Sequence, residues 1–548
     1  MAFRKAEVLA LFFSLALSAT AADTRLVEAA KSNDSAVVRA LLAQHLPAMA
    51  VDAEGDTALH YAARNRNVEL ANLLLSAGAN ANATNRYNIT PLSLACDNGD
   101  AAMVARLLKS GADANQVSEQ GQTPLMNASL AGNAEAVHLL LAHGARVNIA
   151  EPVRGQTALM WAASEGNTAA AAMLIEFGAD VKAKSKAGFT PLLFAVRNGH
   201  KDTVEMLLAH GANANVTAPD GTSALNVAVV NACFEVAAVL LNHGADPNAP
   251  DARGSALHTI AWLRKPGSDG GNGLGKRSYP VPEQVGNMTA LELAKLLLEH
   301  GANPNARITL KERPFGREGA SRNPPLIHLG RHLLTFSGAT PFYLAARNGD
   351  AEYMRLLADH GADPKLTNVL GITPLMVAAG LDYWEGESAG PYTGVSEQER
   401  LEAVKLAIQL GNDINAAADF GDYRMEGSPE YLLLYYPLNM AELAARIPGD
   451  PRWNGCTALH AAVVSGQPSI VQYLVDHGAN LDAKTKSGWT PLMLTTGVFF
   501  ANAKKDFPEA AAILNKALLN KAAQQQRHRG TPAGALAAQS ANDQVAAR

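Results

Sequence analysis

The stretch GSDGGNGLGKRSYPVP, from Gly267 to Pro282, is where this 548-residue sequence comes nearest to catalytic machinery. Its glycines lead into Lys276, close to the G-x-x-x-x-G-K-[ST] loop whose backbone N–H groups ring a phosphate. Such a loop also needs a hydroxyl after the Lys to reach Mg²⁺ and a helix whose N-terminus faces the anion. Arg277 stands where the hydroxyl belongs, and Pro280 and Pro282 bar an immediate helix. The stretch therefore reads as a surface loop, and no cofactor is implied.

Histidine and cysteine offer the other chemical readings. Fifteen histidines are present, but His143, His210, His243, His300, His360 and His477 all precede a Gly in the phrase HGA, where an imidazole can meet the carbonyls at a helix end. His328 and His332, in HLGRH, have the i, i+4 spacing of metal ligands. They lack the Glu of H-E-x-x-H, and Gly330 weakens a helix there, so a structural or solvent role is favoured and no metal site is expected. The three cysteines, Cys96, Cys233 and Cys456, form no C-x-x-C pair and fall far apart in the pattern below, so buried, reduced thiols are expected. There is no G-x-S-x-G, and no catalytic residue is assigned.

The elements around these residues repeat. The phrase GDTALHYAARNRNVELANLLLSAGANANA from Gly55 returns at Gly121, Gly155 and Gly188, and again at Gly338, Gly371, Gly455 and Gly488. Its hydroxyls Thr57, Thr90, Thr123, Thr157, Thr190 and Ser223 recur every 33 or 34 residues. A Thr or Ser there caps a helix, and the Pro that often follows suits the first helical position. Leu and Ala then share one face of a short helix, and a second helix ends at Gly. One such pair is too small to hide its own apolar stripe, whereas stacked pairs hide each other's.

The pattern resembles the ankyrin repeat over roughly residues 23 to 520. The resemblance implies an all-α solenoid of helix-turn-helix modules with short β-hairpin-like turns, about twelve modules in all. It also gives His60, His258 and His460 the turn-stabilising place of the family's TPLH phrase. Residues 1–22 read as a signal peptide and 23–263 as an N-terminal array. A module with inserted loops follows at 264–337, then a plain repeat at 338–370 and a module with an acidic, aromatic insert at 371–454. Closing repeats take 455–520, and 521–548 reads as a disordered tail. Capping boxes, Thr289 with Glu292 and Ser396 with Glu399, restart the helices after the inserts.

The leader places Arg4 and Lys5 before an apolar run from Val8 to Ala19 and small residues to Ala22, the layout of a secretory signal. That run falls short of the roughly 20 residues that span a bilayer. Low cysteine use and the Ala-rich leader fit a bacterial exported protein, periplasmic or secreted. A net charge of −5 and a pI near 6.3 give no pull toward nucleic acid.

What remains is surface. By resemblance, the turns before each cap project as fingers: Tyr87, Ile89, Gln120, Gln122, Arg154, Gln156, Phe189, Asp220, Thr222, Ile372 and Trp489. Arg64, Asp97, Leu130, Glu165 and Arg197 join them from the ends of first helices. Residues 301–337 carry six basic and two acidic side chains, whereas 381–454 carry thirteen acidic and five basic ones with Tyr383, Trp384, Tyr431, Tyr435 and Tyr436 among their aromatics. The two inserts are expected either to meet or to grip a partner jointly. The expectation is a monomeric, non-catalytic scaffold for a protein partner, with no membrane insertion. The alternatives are an enzyme or small-molecule binder with a pocket between the inserts, or an exported effector acting on a host protein.

Overall fold

The computed structural model describes residues 24–249, 254–264, 283–308, 338–381, 395–419, 454–486, 488–500 and 503–529. The chain divides into two units, Met1–Pro219 with Asn242–Gly244, and Asp220–Leu241 with Ala245–Arg548.

After the first module, whose Thr24 is in helical backbone, the modules open on a hydroxyl in extended backbone. Thr123 Oγ1 accepts the N–H of Met126 at 3.2 Å, and Thr90, Thr157 and Thr190 act alike. A Pro follows at the first helical position in five modules, Pro91, Pro124, Pro191, Pro341 and Pro374. In the first unit this yields six helix pairs. They are α1 (Arg25–Lys31) with α2 (Ser35–Ala43), α3 (Ala58–Arg64) with α4 (Val68–Ser76), and α5 (Pro91–Asp97) with α6 (Ala101–Lys109). Then come α7 (Pro124–Ala131) with α8 (Ala134–Ala142), α9 (Ala158–Glu165) with α10 (Thr168–Glu176), and α11 (Pro191–Arg197) with α12 (Lys201–Ala209). First helices stack on first helices and second on second, so Leu92, Ala95, Leu125, Ala128, Leu159 and Ala162 are buried between modules. Burying one such Leu is worth roughly 1.5–3 kcal/mol, which no isolated hairpin could collect.

The second unit repeats the plan with α13 (Ala224–Val230) and α14 (Phe234–Asn242), α15 (Ala256–Arg264) and α16 (Ala290–Glu299), and α17 (Pro341–Arg347) and α18 (Ala351–Asp359). The remaining pairs are α19 (Pro374–Ala378) with α20 (Glu397–Gln409), and α21 (Ala458–Val464) with α22 (Pro468–Asp476). Both anticipated capping boxes are formed, at Thr289–Glu292 and Ser396–Glu399. The stack is continuous in space where the sequence is interrupted. Asn248 donates to Gly301 O at 2.9 Å, Asn305 to Gly361 O at 2.9 Å and Asn415 to Gly478 O at 3.2 Å. These repeat the bonds that Asn82 and Asn115 make to Gly111 and Gly144 in uninterrupted modules.

The end of the array departs from the expected pattern. After Thr490 the first helix is only a 3₁₀ turn, Met493–Thr495, followed by β1 (Thr496–Phe500) and β2 (Ala503–Asp506), an antiparallel pair that supplies the named strands among the described residues. The run TTGVFF has β-branched and aromatic residues where other modules have Ala, which favours extended backbone. The closing helix α23 (Pro508–Arg529) then passes the boundary expected at 520. Its Ala, Leu, Lys and Gln residues meet no breaker before Gly530 and Pro532, so the tail does not begin at 521.

Candidate binding face

The fingers are built by one side-chain oxygen near the start of each turn. Asn85 Oδ1 accepts the N–H groups of Tyr87 and Ile89, both at 3.0 Å, and Asp52 Oδ1 accepts those of Glu54 and Asp56, both at 2.9 Å. Ser118 and Ser185 accept a single N–H each, from Gln122 and Phe189. The turn of residues 151–156 is one residue longer, and the longer Glu151 takes the place: its carboxylate accepts from Val153, Arg154 and Gln156 at 2.7–2.9 Å. Burial pushes the Glu151 carboxyl upward, but these N–H bonds prevail and hold it below its ordinary range. In the second unit Asn368 and Thr485 do the same work. Neither the role nor the position was apparent from the sequence, because five different residue types fill it.

Histidine ties three of the fingers to the helix before them. His60 Nδ1 accepts the backbone N–H of Thr57 at 3.0 Å, which leaves the proton on Nε2 to donate to Ile89 O at 3.0 Å. His258 bridges Ser255 and Ala339 O, and His460 bridges Thr457 and Trp489 O, in the same sense. Burial lowers all three, His258 and His460 to about 4. At the HGA ends, His143, His210, His300, His360 and His477 donate from Nδ1 to the carbonyl four residues back. Finger glycines serve a second purpose. Gly155 has φ +67°, and a Cβ there would stand 2.9 Å from the backbone N of Lys186 in the next finger.

On this frame Tyr87 (48% exposed), Gln120 and Arg154 project in the first unit, while Ile89, Gln122, Gln156 and Phe189 are half-buried at finger bases. Arg64, Asp97, Leu130 and Arg197 are exposed at first-helix ends. Glu165 is also exposed but lies one step beyond the equivalent place, which Ser164 holds. The Ser164 carbonyl accepts from Asn198 and His200. Asp97 is exposed as a residue, yet desolvation pushes its carboxyl up to about 6.

In the second unit Asp220 is exposed, and Trp489 is half-buried. Thr222 and Ile372 are buried, which removes both from the contact set. The place just before the cap lies at the finger base, too deep for a short Thr side chain to clear. Over Ile372 the finger itself is covered, with Asp419 N–H donating to Leu370 O at 3.2 Å.

The sequence reading missed the fourth residue after each cap. Leu94, Trp161 and Phe194 occupy it half-buried along the first helices of the first unit and can join the face, whereas Tyr61 and Asn127 hold the same place buried. Internal comparison of the modules holds the signal: this place changes type while the Leu and Ala beside it do not. Tyr61 Oη–H donates to Asp52 at 2.7 Å and Arg64 lies 5.0 Å over the Tyr61 ring. Burial and Asp52 push the Tyr61 hydroxyl up to about 12. Phe194 packs against Phe189 of its own finger at 5.7 Å between ring centres. The indole N–H of Trp161 is buried with no hydrogen-bond partner among the described residues.

Tyr383, Trp384, Tyr431, Tyr435 and Tyr436, the stretch 267–282, His328 and His332, and the expected meeting of the inserts lie outside the described residues. Cys96, Cys233 and Cys456 are buried and form no disulfide among the described residues. Among the described residues no cluster of three or more His, Cys, Asp or Glu side chains could hold a metal ion, and no helix is long and apolar enough to cross a membrane.

Comparison with known proteins agrees with the fold. A family model described as ankyrin repeats in three copies matches residues 9–85, 26–118, 92–185, 174–251 and 430–496, and a single-repeat model matches 337–369. The chain is 31% identical over 172 residues to E3 ubiquitin-protein ligase XBAT33 of Arabidopsis thaliana, covering 28% of this chain and 32% of the relative. It is 31% identical to the mitochondrial disaggregase of Bos taurus, covering 27% and 20%. It is 36% identical to protein phosphatase 1 regulatory subunit 27 of Homo sapiens, covering 18% and 56%. The chain thus spans between a fifth and a little over half of the length of these relatives. With periodic caps, His ties, stacked helix pairs and matches over more than half its length, the chain belongs to the ankyrin-repeat family.

Proposed function

We propose that the protein is a non-catalytic scaffold that holds a protein partner across several modules of its first unit at once. One observation carries this reading: differing side chains, Tyr87, Leu130, Arg154 and Trp161 among them, are set on near-identical frames whose backbone groups are already hydrogen-bonded internally. Such frames hold anchors in place before contact, which lowers the entropy lost on binding. The relatives support it too. A ligase, a disaggregase and a phosphatase regulatory subunit differ in what they are named for, yet each is similar to part of this chain.

The leader layout supports export to the periplasm or medium, and the net charge of −5 favours a protein partner over nucleic acid. We take the working form to be a monomer. A photo-crosslinking residue at Tyr87 or Leu130, compared with one at Asn72 on a second helix, tests the reading. Cross-links to a protein from the first two positions and none from Asn72 support it, and equal yields from all three contradict it.

A further inference from the structure

We propose that residues 146–186 of the first unit form a docking strip for an acidic, extended segment of the partner protein. The inference rests on the scaffold reading and names the chemistry of what the scaffold takes. Residues 181–186 alternate strictly: Lys182, Lys184 and Lys186 are exposed, whereas Val181, Ala183 and Ser185 are half-buried or buried. Lys182 lies in the turn closed by Ala183 N–H donating to Asp180 O at 3.2 Å, and Lys186 opens the next turn, so the three lysines follow loop backbone. The neighbouring loop runs beside them, joined at both ends. Asp180 N–H donates to Asn148 Oδ1 at 2.9 Å, and Lys186 N–H donates to Arg154 O at 2.8 Å. That loop adds Arg146 and Arg154, both exposed.

None of these five cations forms an ion pair within 4.0 Å among the described residues, although the Arg154 charge helps to hold the Glu151 carboxyl low and Lys186 Nζ donates to the carbonyl of Pro152; Arg39, Arg64 and Arg86, in contrast, pair with Glu69, Asp56 and Glu54. Of the acids in the same stretch, Glu165 and Glu176 are exposed at helix ends, and the other two are engaged by backbone N–H groups. Glu151 is buried under three N–H groups, and Asp180 accepts the N–H of Lys182. Beyond the strip, the loop after α12 exposes the uncharged Asn213, Asn215 and Thr217, and the loop before α7 carries Asp113 and Glu119. The longer finger also lifts Val153 to 68% exposure beside Arg154, an apolar contact that suits a peptide. A segment carrying several carboxylates complements this group of cations. A nucleic acid would meet the acids bounding the strip and a net charge of −5.

The test uses the full chain and a labelled oligoglutamate peptide, with oligolysine and oligothymidylate as comparison probes, read by fluorescence anisotropy. The expected result is binding of oligoglutamate alone, weakened at least about tenfold by Lys182→Glu/Lys184→Glu/Lys186→Glu and by added salt. The triple Gln variant, which removes charge without reversing it, guards against a folding defect and should weaken binding in the same direction. Equal binding by wild type and both variants, or tighter binding of oligothymidylate, would overturn the proposal. If Tyr87 still cross-links a protein in either of those cases, the scaffold reading survives and the acidic segment falls. If it cross-links none, both fall.

Discussion

The Nε2–H of His460 donates to the carbonyl of Trp489 across 3.1 Å while its Nδ1 accepts the N–H of Thr457 at 3.2 Å. One neutral ring therefore joins the start of a helix to the next finger, and a second proton on Nδ1 would break the bond to Thr457.

Stability should consequently fall with acid. An unfolded imidazole titrates near 6.5, whereas buried His258 and His460 titrate at about 4 and His60 is lowered as well. Between those values the unfolded chain binds more protons, so stability rises with pH there. The contribution is whole above about 6.5 and is lost as pH drops through about 4, up to roughly 3 kcal/mol for each of His258 and His460. Urea unfolding followed from pH 7.5 to 4.5 checks this, and His460→Ala should flatten the slope as well as lower the midpoint.

Glu151 holds three backbone N–H groups in the one finger that is a residue longer. Glu151→Ala should destabilise the first unit by about 1–3 kcal/mol, with Glu151→Gln falling between it and wild type because one acceptor oxygen remains. Amide exchange at residues 153–156 should accelerate before global unfolding does.

In the second unit Arg264 Nε meets Asp350 Oδ2 at 2.7 Å, and Asp350, 3% exposed, also caps α18 through Tyr353 N–H. Asp350→Ala leaves the Arg264 guanidinium only the exposed Glu352, at 2.9 Å, as an ion-pair partner and also removes the cap of α18, and should cost about 1–3 kcal/mol. Arg264→Met combined with Asp350→Asn should cost less than Asp350→Ala alone, a result that thermal melts of the variants would resolve.

Asn305 joins modules on either side of residues 309–337, donating to Gly361 O and accepting Asp363 N–H at 2.7 Å. Asn305→Ala should cost about 1 kcal/mol, the same as Asn115→Ala in an uninterrupted part of the array. A much smaller effect at Asn305 would mean that the stack does not close across the insertion.

The helix pairs, their Thr caps, the capping boxes and the three bridging histidines were legible in the sequence because each depends on neighbours a few residues away and recurs. Burial of Thr222 and Ile372 was not, since it depends on how deep the finger base lies and on Asp419 from another module. The finger-building oxygen escaped because Asp52, Asn85, Ser118 and Glu151 share a function without sharing a side chain. The row of Tyr61, Leu94, Asn127, Trp161 and Phe194 escaped for the opposite reason: variation at one place in a repeat is easily read as noise.

The most direct measurement is hydrogen exchange of the full chain with and without its cross-linked partner, resolved by peptide. Slowed exchange at the fingers 85–89, 118–122 and 151–156 and at the ends of α5, α7 and α9, with α4, α6 and α8 unchanged, is the predicted result. Protection confined to those second helices, or spread evenly over the array, would contradict a binding face built from fingers and first helices.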